Sequence, residues 1–212
     1  MTALREDKEG GCGRGSDMAF MRPSLASDLL PVLRRGSVLL RAPSMSDYAA
    51  WAELRARSRS QLAPFEPRWA EDELTRGAWR DRLRRYQRDA REDLGYAYII
   101  VRESDRALAG GISLSNVRRG VTQAATVGYW VGSVYTRQGL ASAALAAIVN
   151  FAFDELRLHR LEAACMPGNE ASLGVLAKGG FQQEGFARRY LRINGAWEDH
   201  ILHALLAEDP RP

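Results

Sequence analysis

The first chemical signal comes from Arg137, Gln138, Gly139 and Ala141, within "VYTRQGLASAAL" (134–145). These residues leave a strand-like run, "TVGYWVG" (126–132), and stand directly ahead of a long apolar stretch. A glycine and a small residue two apart at a strand-to-helix junction let backbone N–H groups face open space. The first N–H groups of a helix have no intrahelical acceptor, and with the helix dipole they form an anion site. Such a turn suits phosphate. A plain tight turn has the same spacing, so the pattern gains meaning only from its company.

A second signal is "PGNEASLGVLAKGGF" (167–181), where Asn169 has N-cap chemistry and Ser172 falls three residues later in the first helical turn. Taken alone, both residues simply start a helix. The polar run "WEDH" (197–200) and Glu184 add carboxylates and an imidazole near the end of the chain.

The chain that must position these groups has 212 residues, 46% hydrophobic and 26% charged, enough for one ordinary domain plus a tail. Its formal charge of +4 and pI near 9.3 are compatible with anionic ligands without establishing nucleic-acid binding. Cys12 and Cys165 are too differently placed for a disulfide framework, which fits a reducing compartment. His159, His200 and His203 lack metal-ligand company. The apolar stretch 140–153 is too short and interrupted to span a bilayer, and the N-terminus has no secretory h-region. The expectation is a soluble cytoplasmic protein with no metal and no membrane partner.

Residues 1–17 cluster glycine without an apolar period and are expected to be a disordered tail; 18–36 form an N-terminal extension, read as a short helix at "LASDLLPVL". The main domain spans 37–207. Strand signals fall at 37–43, 96–103, 107–116, 122–131, 160–166, 181–191 and 198–206, the last two flanking an "NGAW" turn at 194–197. Helix signals fall at 44–58 (Ser44 or Ser46 as N-cap; Tyr48, Trp51 and Leu54 on one face), 71–92, 139–156 and 170–178. This order implies an α/β (α+β) fold, with a mixed sheet and helices on both faces. Parallel pairing is expected around the 139–156 crossover and antiparallel hairpins at both ends.

Four segments together, "VLLRAPSMSDYAAW", "GYWV…RQGLAS", "NEASLGVLAKGGF" and "YLRINGAWEDHILHALL", resemble the GNAT N-acetyltransferases, from about Ser37 to Leu206. Within that family they resemble the RimJ/RimL-like branch, which modifies ribosomal-protein N-termini. The resemblance implies a mostly antiparallel sheet of about seven strands and acetyl-CoA as cosubstrate. It implies that Arg137, Gln138, Gly139, Leu140, Ala141 and Ser142 cradle the CoA pyrophosphate, while the backbone of Tyr129, Trp130 and Val131 pairs with the pantetheine arm like an added strand. Thr136 stands where the family motif has Arg or Gln, a departure that main-chain phosphate contacts can absorb.

Acetyl transfer needs an uncharged amine, stabilisation of an oxyanion and a proton for the departing thiolate. The tyrosine that protonates the thiolate in many relatives is Leu176 here, and the resembling branch instead carries a serine three residues after the Asn. Ser172 is therefore the implied acid, with Asn169 holding pantetheine or its water. The base stays open among Glu184, Glu198, Asp199 and His200. At pH 7 on the order of a tenth of α-amines are neutral, against well under a thousandth of lysines, so an N-terminal acceptor needs only a modest base.

The expected activity is N-terminal acetylation of a protein, a ribosomal protein with a small first residue. A small-molecule amine acetyltransferase and a catalytically silent acyl-CoA-binding regulator are the alternatives. The Arg-rich stretch 76–93 reads as a solvated face rather than an RNA-docking surface, and Trp69 and Trp79 read as core packing before cleft lining. Either a monomer or a homodimer is compatible with the sequence.

Overall fold

The computed structural model describes residues 30–211; the expected disordered tail and residues 18–29 of the extension lie outside the described residues. One eight-stranded sheet organises the chain, with spatial order β1-β2-β3-β4-β5-β6-β8-β7. Its strands are β1 (Leu33–Arg35), β2 (Val38–Arg41), β3 (Tyr96–Arg102), β4 (Leu108–Arg118), β5 (Ala124–Val131), β6 (Arg160–Cys165), β7 (Gln182–Ile193) and β8 (Ala196–Leu206). All neighbours pair antiparallel except β5 and β6, which flank the expected crossover.

Three details differ from the sequence reading. The extra strand is β1, which closes a tight hairpin on β2 at the end of the stretch expected to be helical. The β7–β8 turn contains only Asn194 and Gly195, both left-handed (φ 45° and 94°), because a two-residue turn with that twist matches the twist of its strands. The crossover helix α4 (Leu140–Asn150) gives way to a π-helical turn, Phe151–Glu155, rather than running on regularly.

Helices cover both faces. On one face, α4 packs against the core that includes Val38, Leu40, Tyr98 and Ile100, and α5 (Glu170–Lys178) packs against α4, adding Leu176 to the same core. The alternate residues Leu39, Ile99 and Val101 face α1 (Tyr48–Arg57) and α3 (Arg76–Arg91), through Trp51, Leu54, Trp79 and Leu83. A short α2 (Arg59–Leu62) follows α1. The period-two alternation of β2 and β3 is apolar on both sides because both sides are covered. Ser44, not Ser46, caps the first helical turn: Asp47 reaches back to the Ser44 N–H at 2.7 Å, and Arg41 forks onto the same carboxylate. On α3 the buried face is Trp79 and Leu83, while Arg80, Arg84, Arg85, Arg88 and Arg91 are exposed.

Candidate active site

The parallel pairing of β5 and β6 is brief. It joins Ala124 to Arg160, Ala125 to Leu161 and Thr126 to Glu162, and then stops. Beyond it, Gly128–Val131 stays paired to β4 and Ala163–Cys165 to β8, so the two strands part with facing edges unpaired. A cavity of about 800 Å³ opens in the gap, bordered by β5, the 135–142 turn, the end of β6 and the start of α5. The expected edge opening is therefore present at Tyr129, Trp130 and Val131. The Val131 carbonyl is partly engaged already, accepting from Gln61 Nε2 at 3.3 Å.

At the cavity's mouth, Gly139 is the left-handed N-cap of α4, with φ 74°, and Arg137 is also left-handed at φ 59°. The first α4 hydrogen bond runs from the Ala143 N–H to the Gly139 carbonyl at 3.0 Å. The N–H groups of Leu140, Ala141 and Ser142 come before it and have no intrahelical acceptor. A Cβ built on Gly139 meets no protein atom within 4 Å, so the space in front of this turn is open. The exposed Gln138 side chain is already engaged, accepting from Arg102 at 2.9 Å and donating to the Val134 carbonyl at 3.2 Å, which leaves its backbone for a ligand. Leu140 is buried and likewise has only its backbone to offer. Thr136 donates its hydroxyl to the Ser133 carbonyl at 3.0 Å.

Deeper in, Asn169 Oδ1 accepts from the Ser172 N–H at 3.1 Å and so caps α5. The Ser172 hydroxyl lies 2.9 Å from the Tyr129 hydroxyl. The resemblance gives Tyr129 only a backbone role; the fold adds its hydroxyl. Burial pushes the phenol up to about 12, against a smaller opposite pull from Ser172, so it holds its proton across the ordinary pH range. The phenolic proton can go to the Ser172 carbonyl, 3.2 Å away, or to the Ser172 oxygen. In the second arrangement the Ser172 O–H is free to point at a ligand, with a proton behind it. Leu176, in the position of the absent tyrosine, is buried in the core. Cys165 also lines the cavity, its thiol pushed up by burial and pulled partly back by Ser172.

Of the four base candidates, only His200 lines this cavity. Its Nδ1 is 3.0 Å from the Glu198 carbonyl, an atom that only accepts, so Nδ1 carries a proton and, in the neutral ring, Nε2 is the nitrogen with the lone pair. Asp199 is used elsewhere, accepting from the Arg189 N–H at 2.7 Å, as strand alternation requires. Glu184 is exposed and forked by Arg160, which holds its carboxyl below the usual range.

A second cavity, about 390 Å³, adjoins the first along Gly128, Tyr129, Trp130 and Glu66 but lies on the α1 and α3 face. Trp51 and Trp79 stack on its wall at 4.5 Å between ring centroids. Trp79 is both core and cavity wall; Trp69 is half-buried and lines the cavity as well. Arg55 is only 5% exposed, its guanidinium centre 4.2 Å from the Trp69 ring and 4.9 Å from the Trp130 ring. Both Glu66 oxygens accept from it at 2.7 Å. Glu66 also accepts from Trp69 Nε1 at 2.8 Å, and its carbonyl takes the Asn194 N–H from the β7–β8 turn at 2.9 Å. Nothing in the sequence pairs Arg55 with Glu66, since the partners meet only once the loop after α2 folds back.

Among the described residues, no group of three or more His, Cys, Asp or Glu could hold a metal, and no helix is long and apolar enough to cross a membrane. Residues 37–182 match the acetyltransferase (GNAT) domain family. The chain is 33% identical to the ribosomal protein uS5-alanine N-acetyltransferase of Escherichia coli (strain K12), over 78% of this chain and 87% of that protein. Among solved structures it is similar to the ribosomal-protein-S5-alanine acetyltransferase of Vibrio fischeri (TM-score 0.79, 34% identity, 86% and 100% of the two chains). It is also similar to Mycobacterium smegmatis RimJ in complex with CoA-disulfide (TM-score 0.78, 36% identity, 84% and 87%). The chain belongs to the GNAT acetyltransferase family, as an N-acetyltransferase of the RimJ/RimL type.

Proposed function

We propose that this N-acetyltransferase acetylates the α-amine of a protein N-terminus, that of a ribosomal protein with a small first residue, using acetyl-CoA held in the larger cavity. The observation that carries the reading is the unpaired β5 edge running from the Gly139 turn to the Ser172–Tyr129 pair. An anion cradle at one end, a strand edge in the middle and a proton donor at the other match a phosphate-headed, amide-rich thioester. The named substrates of the Escherichia coli and Vibrio fischeri relatives support the choice of acceptor.

Acetyl-CoA supplies an activated acetyl group as its thioester. The free N–H groups of Leu140, Ala141 and Ser142, with the turn from Arg137 to Gly139, bind the pyrophosphate. Backbone groups of Tyr129, Trp130 and Val131 align the arm, and Asn169 shapes the entry of α5. His200 Nε2 takes the proton from the amine, directly or through water. Ser172 gives its proton to the sulfur and takes one back from Tyr129, and solvent returns a proton to the phenol as CoA leaves.

The second cavity speaks for a peptide over a polyamine. Three arginines (Arg55, Arg68, Arg82) and two glutamates (Glu66, Glu73) line it among aromatic rings, so it is not an acidic trap for a polycation. A panel of peptides differing only in the first residue tests the reading. Alanine- and serine-initiated peptides are expected to be acetylated with kcat/KM at least about tenfold above those starting with a bulky aromatic residue, the loss of about 1.4 kcal/mol of fit. Spermidine and aminoglycosides should be poorer still; faster turnover of either would contradict it.

A further inference from the structure

We infer that the outer face of α3 docks the enzyme on RNA, its exposed arginines meeting the phosphate backbone. The choice of RNA among nucleic acids rests on the ribosomal acceptor proposed above; the charge pattern stands without it.

In sequence, acidic residues interleave the arginines of 76–93, as on an ordinary solvated face. Folding separates them. Arg76, Arg80, Arg84, Arg85, Arg88 and Arg91 are all exposed, whereas Asp89 turns to the half-buried side. Within α3 only Asp81 faces out beside the arginines, and Glu92 lies past the helix as its C-cap. Arg84 pairs with Asp81 at 3.0 Å and Arg88 with Asp89 at 3.2 Å, both at the surface, where such pairs hold weakly. Arg80, Arg85 and Arg91 meet no acidic partner among the described residues.

The charge is also local. Residues 76–91 carry seven arginines and two aspartates, a net +5, while the whole chain is +4, so everything else together is −1. One helix therefore holds the basicity of the protein. Arg76, Arg80, Arg84 and Arg88 stand in series four residues apart, and like charges at that spacing destabilise a helix. A polyanion laid along the row removes that repulsion.

Shape and composition say which polyanion. Four residues of helix rise about 6 Å, so the row runs for about 18 Å. A nucleic-acid duplex sets one phosphate charge against every ~1.7 Å of its axis. No apolar side chain stands among the exposed residues of α3, whose Trp79 and Leu83 are buried in the core. A membrane-surface helix needs an outward apolar face, and a protein interface centres on aromatic or aliphatic anchors. This face has neither, and a repeating phosphate backbone needs only the charges. Position ties the contact to the reaction. Through Trp79, Arg82 and Tyr86 the inner side of the same helix lines the second cavity. RNA on the outer side then lies one helix diameter, about 10–12 Å, from that cavity. A protein seated on the RNA spans that gap with a few extended residues of its N-terminus.

The test titrates the full chain into a labelled RNA duplex of about 20 base pairs, followed by fluorescence anisotropy between about 50 and 200 mM salt. Wild-type protein is expected to bind with log K falling against log salt at a slope of about −4, from four phosphates at about −0.9 each. Arg80→Gln/Arg84→Gln should flatten that slope by about 2 and weaken low-salt binding about tenfold. A matched pair on β7, Arg188→Gln/Arg192→Gln, removes the same charge from exposed positions at the far edge of the sheet and should change both little. The α3 variant should keep the wild-type melting curve and acetylate a free alanine-initiated peptide at the wild-type rate. Absence of RNA binding by wild type overturns the inference, as does an equal loss in the two pairs. Displacement of the RNA by polyglutamate or phosphatidylglycerol vesicles at matched charge overturns it too, giving the face to an acidic protein or an anionic membrane. Failure of every peptide to be acetylated, with RNA binding lost only in the α3 pair, would instead defeat the acceptor reading and leave the docking face standing.

Discussion

Ser172→Ala is expected to lower kcat by about a hundredfold or more, the usual worth of a positioned general acid, while acetyl-CoA affinity barely changes. The phosphate and strand-edge contacts lie elsewhere, so the loss should fall on the transition state and not on binding. The substitution is also structurally mild. The α5 cap uses the Ser172 backbone N–H on Asn169, which alanine retains. What disappears is the contact with Tyr129 at 2.9 Å, worth about 1 kcal/mol of stability. Tyr129→Phe should lower kcat less, since serine keeps its own proton. Combined with Ser172→Ala it should add almost nothing, because the two hydroxyls act as one unit. Stopped-flow and steady-state rates with a melting curve check all three proteins. Near-wild-type kcat in a fully stable Ser172→Ala enzyme would assign the acid to another group.

Gly139 gives the second large effect, on binding. A β-branched residue at φ 74° is strained, by about 1–3 kcal/mol, so Gly139→Val confounds folding with affinity. Asparagine tolerates the left-handed region, and no protein atom lies within 4 Å of its Cβ, so Gly139→Asn should fold normally. Its side chain would still stand in front of the α4 N-terminus. Acetyl-CoA affinity is therefore expected to fall about tenfold to a hundredfold in Gly139→Asn, as one charge-assisted hydrogen bond is displaced, and further in Gly139→Val. Calorimetric titration measures both; unchanged affinity in Gly139→Asn would remove the phosphate site from this turn.

Most of this architecture is legible where local signals agree with the global fold. The Ala- and Leu-rich run of α4 behind Gly139, the β-branched and aromatic run of β3 and the Ser44 cap each need only neighbours in sequence. β1 escaped because three residues carry no period of their own; pairing of Leu33 with Leu40 and Arg35 with Val38 makes them a strand. The site divides in the same way. The Gly139 turn and the Asn169 cap are local motifs. The Tyr129 hydroxyl reaching Ser172, 43 residues away, and the placing of His200 rather than Asp199 or Glu184 against the cavity depend on which face each strand presents. Nothing near Arg55 in sequence marks it for burial; Trp69 of the 64–69 loop and Trp130 of β5 cover it only in the folded chain.

The most direct test of the account gives the enzyme acetyl-CoA and one peptide bearing both a free alanine N-terminus and an internal lysine, at neutral pH. Fragment-ion mass spectrometry then locates the acetyl group after a single turnover. The account predicts acetylation on the α-amine, with the lysine unmodified, because the α-amine is the more readily deprotonated. An acetyl group found on the lysine, or no transfer to the peptide at all, would contradict it.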